Sequence, residues 1–179
     1  MEHHQTCTGE HHVRHRRERP DRPLHRHRRG RRGTKGPHGD HRCALPLRLG
    51  QDLKDKELLA SAFAADAELD FRPAVAKWGA PLPLMTGRDT IVTTILGMFT
   101  GRVDTTHQVT NLRITIDGDT ARLTALVEAQ HLLTADPTQH ALLKNPYDVE
   151  LVRDRDRWVI RRLVIDNTWF VGDPTAIFG

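Results

Sequence analysis

Residues 112–133 constrain this chain more than any other stretch. Asp117-Gly118 separates Leu112-Arg-Ile-Thr-Ile116 from a run that extends from Asp119 to Leu133. A dipeptide of that kind between alternating segments predicts a two-residue hairpin of type I′. Pairing across it sets Ile114 opposite Ala121 and Leu112 opposite Leu123. Because side chains alternate along a strand, Ala121, Leu123, Ala125, Val127, Ala129, His131 and Leu133 then share the interior face. His131 is the one ionisable residue among these seven.

The first strand breaks its own parity, since Leu112, Ile114 and Ile116 are even while Val109 is odd. One extra residue near Thr110-Asn111 reconciles them and bends the strand, as a curved sheet requires. That bulge turns His107 to the inner face, roughly opposite Val127 and about 13 Å from His131 at about 3.3 Å per residue. Tyr147, Val149 and Leu151 alternate with Asp148 and Glu150 in a third strand, and Trp158 to Trp169 reads as a fourth.

Upstream, Leu45, Leu49 and Leu53 recur at helical spacing, and Asp52 is expected to share their face. Asp55 can cap a second helix whose buried stripe is Leu59, Ala62 and Phe63. Glu68 to Phe71 reads as a short strand. The loop from Arg72 to Gly87, rich in Pro and Gly and carrying Trp78, suggests a lid, and Thr86 with Asp89 resembles a capping box opening a further helix. Helices followed by an antiparallel meander give an α+β layout.

Composition divides the chain. Residues 1–42 hold eleven Arg and one Lys against three Glu and two Asp, a net of +7, so the overall +4 leaves −3 for residues 43–179. The same 42 residues hold nine of the twelve histidines and no aromatic side chain. Residues 1–43 are therefore expected to be a disordered Arg/His-rich tail, with too little apolar surface to offset ordering and no ring to stack on a base. This is also the composition of GC-rich sequence translated upstream of a true start. That reading predicts that a chain beginning near Ala44 folds and functions as well as the full one. Two cysteines, Cys7 and Cys43, make neither a disulfide framework nor a metal motif. No apolar run reaches the roughly 18 residues needed to span a bilayer. A cytoplasmic protein with no metal, no cofactor, no nucleic acid and no membrane partner is expected.

The run from Asp52 to Phe71, then Thr105-Thr-His107, the hairpin, and Arg157-Trp-Val-Ile resemble SnoaL-like proteins of the NTF2-like superfamily, with scytalone dehydratase-like proteins the nearest in pattern. The resemblance covers about residues 47–179. It implies a cone in which a curved antiparallel sheet packs on N-terminal helices, within a domain of residues 44–179. It further implies that Asp52 orients His131 as the catalytic base, while His107 is a second catalytic histidine that serves the leaving group. Gln51 and Phe71 stand where that enzyme has carbonyl-polarising tyrosines, and Tyr147 with Asn145 offers replacement donors. Gln51, Phe71, Trp78, Asn145 and Tyr147 are thus the expected substrate-binding residues.

Two functions follow. One is a cofactor-independent lyase or isomerase of the dehydratase or cyclase type, acting on a small cyclic or polyketide-like hydrophobic molecule. The other is a protein that binds such a molecule without turnover. A homo-oligomer, dimer or trimer, is expected through the outer sheet face, where Leu126 and Leu132 lie.

Overall fold

In a computed structural model of the chain, residues 44–79 and 82–179 are described. The expectations for residues 1–43 lie outside them. Two short helices, α1 (Ala44–Leu53) and α2 (Lys56–Ser61), lead into strand β1 (Phe63–Asp70), a single turn α3 (Arg72–Val75), the short strand β2 (Met85–Thr86) and helix α4 (Arg88–Phe99). The second half is β3 (Val103–Asp117), β4 (Thr120–Leu133), β5 (Asp136–Asp154), β6 (Arg157–Ile165), β7 (Trp169–Gly172) and a closing helix α5 (Pro174–Phe178). The strands lie in the order β2-β1-β6-β5-β4-β3, with β7 added to β5.

The sheet is mixed and not wholly antiparallel, because β1 runs parallel to β6. A parallel pair needs a long crossover, and α3, α4 and the β3–β5 meander supply it. The inner face of β4 is as the alternation predicts, with Ala121, Leu123, Ala125, Val127, Ala129 and His131 all buried. The β3 bulge is also present, between Thr110 and Arg113, with Asn111 at φ 55°.

The hairpin register differs from the expectation by two residues. Asp117 pairs with Thr120, so the loop is Gly118-Asp119 and Ile114 faces Leu123. Of the two loop residues only Gly118 has a positive φ, 57°, so the loop is not type I′, which needs two. A slip of two keeps parity, and every inner-face assignment survives it.

Three helical expectations fail for local reasons. Leu49 and Leu53 are 46% and 67% exposed, because α1 docks through Leu47 and Gly50. A Cβ at Gly50 would lie 2.4 Å from the backbone nitrogen of Leu59, so close packing of α1 on α2 depends on its absence. Phe63 belongs to β1 and not to α2, although Asp55 does cap α2 through the backbone N–H of Leu58 at 2.9 Å. The Thr86–Asp89 capping box does not form, since Thr86 is committed to pairing with Glu68 and Gly87 at φ 88° takes the cap position. The expected fourth strand is interrupted at residues 166–168, after which β7 pairs with β5 and α5 packs on β5 and β4.

Candidate functional site

Helix α1 ends at Leu53, and the φ of 58° at Lys54 turns the chain out of the helix. Within its last two turns, Arg48 and Asp52 point at β3. The Nη1 of Arg48 donates to the carbonyl of His107 at 3.4 Å. The Asp52 carboxylate accepts three bonds: from the backbone N–H of His107 to Oδ2 at 3.0 Å, from the Thr105 hydroxyl to Oδ1 at 2.9 Å, and from Nδ1 of His107 to Oδ1 at 2.6 Å. Lys54 Nζ donates to Thr105 Oγ1 at 3.0 Å, which commits the hydroxyl proton to Asp52.

The aspartate therefore belongs to His107 and not to His131. Helix α1 docks on β3, which carries His107, while His131 lies on β4. His107 pairs with Ala129, and Thr105 with His131, so the two histidines are diagonal neighbours on one face and not four residues apart. Their rings stand edge to face with centroids 5.6 Å apart and planes at 87°. The expected 13 Å separation is excluded.

Burial raises the Asp52 pKa, but the hydrogen bond and charge of His107, together with Thr105, outweigh it and hold the carboxyl below its ordinary value. Burial lowers the Lys54 ammonium, against the opposing pull of Asp52 and Asp104. His131 is 2% exposed, and its Nδ1 has no hydrogen-bond partner among the described residues. Burial first, and the neighbouring His107 second, push its pKa down to about 3, so it is neutral at physiological pH. The Tyr147 phenol is pushed up, by burial and then by the Asp52 charge.

Both histidines line a cavity of about 50 Å³, together with Gln51, Phe71, Asn145 and Tyr147. Two expected site residues do not reach its wall. Asp52 stands behind His107, and Trp78 supports the wall from outside, edge-on to Phe71 at 5.3 Å and stacked on Phe178 at 5.2 Å. The remaining wall is apolar, with Met85, Met98 and Phe99 among its members.

Sequence reasoning missed Phe178, whose ring lies 5.1 Å from that of His131 and also touches Phe71 and Phe99. The signal was present in Asp173-Pro174. Asp173 caps α5 through the N–H groups of Thr175 and Ala176, and proline is favoured in a first turn. Thr105 could also have been found, since it lies two residues from His107 and so on the same strand face. Nothing in the sequence marks Lys54. Among the described residues no group of three or more His, Cys, Asp or Glu could hold a metal ion, and no helix is long and apolar enough to cross a membrane.

A model of the SnoaL-like domain family matches residues 48–164. Several solved structures share the fold. Hexachlorocyclohexane dehydrochlorinase LinA-type3 from Novosphingobium barchaimii is 20% identical, over 74% of this chain and 86% of that one, with a TM-score of 0.61. Kfla4162 from Kribbella flavida is 23% identical over 75% and 91%, at 0.65. A provisionally named scytalone dehydratase from Novosphingobium aromaticivorans is 24% identical over 74% and 83%, at 0.62. Comparison with curated protein sequences finds no match.

Proposed function

This chain belongs to the SnoaL-like domain family, and we propose that it is a cofactor-independent lyase or isomerase that removes a carbon-bound proton from a small, cyclic, hydrophobic molecule, with His107 as the base. The observation that carries this reading is the 2.6 Å bond between Asp52 Oδ1 and His107 Nδ1. An ionised carboxylate at that distance holds the proton on Nδ1, leaves Nε2 as the basic atom, and stabilises the imidazolium formed when Nε2 takes a proton. A binding protein has no need of such a pair.

The reaction then runs without external oxidant or metal. The C–H electrons become the new double bond, the proton goes to His107 Nε2, and the leaving group departs from the adjacent carbon with its bonding electrons. His131, neutral at physiological pH and on the cavity wall, is a hydrogen-bond partner for the leaving group. It replaces His107 in that role and gives up the role of base. Return of the proton to another carbon instead would make the reaction an isomerisation. The apolar wall favours a hydrophobic ring, and dehydrochlorinase and dehydratase names among the fold relatives support elimination. Leu126 and Leu132 on the outer face support homo-oligomerisation, and the protein is read as cytoplasmic.

The test is incubation of the protein in D2O with a panel of cyclic ketones, cyclic β-hydroxyketones and halogenated rings, followed by NMR. Deuterium incorporation or elimination that disappears in His107→Ala supports the reading. Measurable binding of these rings with no exchange and no elimination from any of them would establish the non-catalytic alternative.

A further inference from the structure

The site holds a second fixed polar element on the strand next to the histidines. Asn145 lies on β5, opposite Val127 of β4, while His107 of β3 lies opposite Ala129. Two strand spacings of about 4.8 Å and two residues of about 3.3 Å separate them, so their Cα atoms are about 12 Å apart across the cavity floor. Asn145 is 2% exposed and lines the cavity.

Which end of its amide faces inward is decided by Asn167, 1% exposed, in the connector between β6 and β7. The backbone of that connector is bonded on both sides of Asn145, through Asp166 N to the Pro146 carbonyl at 3.1 Å and Thr168 N to the Lys144 carbonyl at 2.8 Å. Asn167 Nδ2 donates to the Trp169 carbonyl at 3.0 Å, approaches the Lys144 carbonyl at 3.4 Å, and donates to Asn145 Oδ1 at 2.9 Å. Backbone carbonyls only accept, so the Asn167 atom facing them must be its NH2 group. The Asn145 atom facing that NH2 must then be the oxygen. With its oxygen tied back, Asn145 offers the cavity its own NH2, a donor.

We infer that Asn167 is a positioning residue that locks Asn145 as a hydrogen-bond donor, and that the ligand therefore carries an oxygen acceptor, a ring ketone or the enolate formed from it, on the side away from His107. This rests on the reading of the cavity as a substrate site, and it narrows the substrate to a carbonyl compound whose acidic C–H faces the base. A donor fixed where negative charge develops costs no reorganisation during reaction.

The test uses binding alone, so a failure to turn over does not affect it. Dissociation constants are measured for 1-tetralone, which has the carbonyl, for tetralin, which lacks it, and for 1-tetralol, which can donate. The preference of the wild type for tetralone over tetralin should fall about five- to tenfold in Asn145→Leu, the worth of one neutral hydrogen bond. Asn167→Asp cannot donate to Asn145 Oδ1, so the Asn145 amide should turn over and the preference should pass from tetralone to tetralol, a reversal that a merely structural residue would not produce. Unchanged ligand ratios in both variants overturn the inference. If Asn167→Asp does not fold, the side-chain NH2 resonances of Asn145 in the wild-type protein decide. Movement with tetralone and not with tetralin supports the donor role, and equal or no movement overturns it. Loss of the ketone preference would leave the His107 base standing, and absence of proton transfer would leave the ketone preference standing.

Discussion

Asp52 holds His107 twice, through the ring at Nδ1 and through the backbone N–H, so one carboxylate fixes both the strand and the imidazole it carries. Residues tied in this way should act as one catalytic unit. Asp52→Asn and His107→Ala are each expected to lower turnover by a factor on the order of 10² or more, the usual worth of one positioned acid–base group. The double variant should be scarcely worse than either single one. Steady-state kinetics on any substrate found by the D2O screen check this, and fully multiplicative losses would refute the unit.

His131 gives a prediction for stability against pH. Its folded pKa is about 3 against an ordinary 6.5, so between those values the unfolded chain binds the proton and the folded protein does not. Stability then rises with pH across this window and is lost as pH falls from 6.5 toward 3. His131→Leu should flatten the dependence of Tm between pH 6.5 and about 4. The carboxylates with lowered values, Asp52, Asp70 and Asp148 among them, begin to contribute only below about pH 5 and leave the upper part of that range clear. An unaltered slope in the variant would contradict the buried, neutral histidine.

Gly50→Ala should damage both stability and the site. The added methyl would meet the Leu59 nitrogen and Cα at 2.4 and 2.5 Å, and backbone atoms cannot rotate away. Overpacking of this kind costs about 1–3 kcal/mol, readable by urea unfolding. Because α1 also carries Asp52, turnover should fall as well.

Access to the cavity should depend on α5. Arg102 donates to the carbonyls of Ile177 at 2.7 Å and Ala176 at 3.0 Å, which satisfies a helix end and holds Phe178 over His131. The cavity of about 50 Å³ is smaller than the roughly 150 Å³ that accepts a benzene ring in a protein interior. Arg102→Ala should therefore speed entry of 1-tetralone in stopped-flow measurements, and Phe178→Ala should enlarge the cavity at a cost in stability. Unchanged entry rates in Arg102→Ala would show that the ring enters elsewhere.

The local rules of the chain determined much of this protein. Alternation along residues 121–131 assigned the inner face, the parity break at Val109 located the bulge, and the inward histidines with a nearby acid marked the cavity. These are properties of a strand's period of two, and they survive an error in register of an even number of residues. The partnership of Asp52 depended on where α1 docks, since the carboxylate meets Thr105 and His107 on β3 and not His131 on β4. Gly50 against Leu59 reversed the expected face of α1, because close backbone approach outweighed the leucine spacing. The polarity of Asn145 came from Asn167, 22 residues away in the chain, through two backbone carbonyls that accept and cannot donate. Periodicity speaks for each strand separately; pairing across strands, and the side chains it brings together, exist only in the folded sheet.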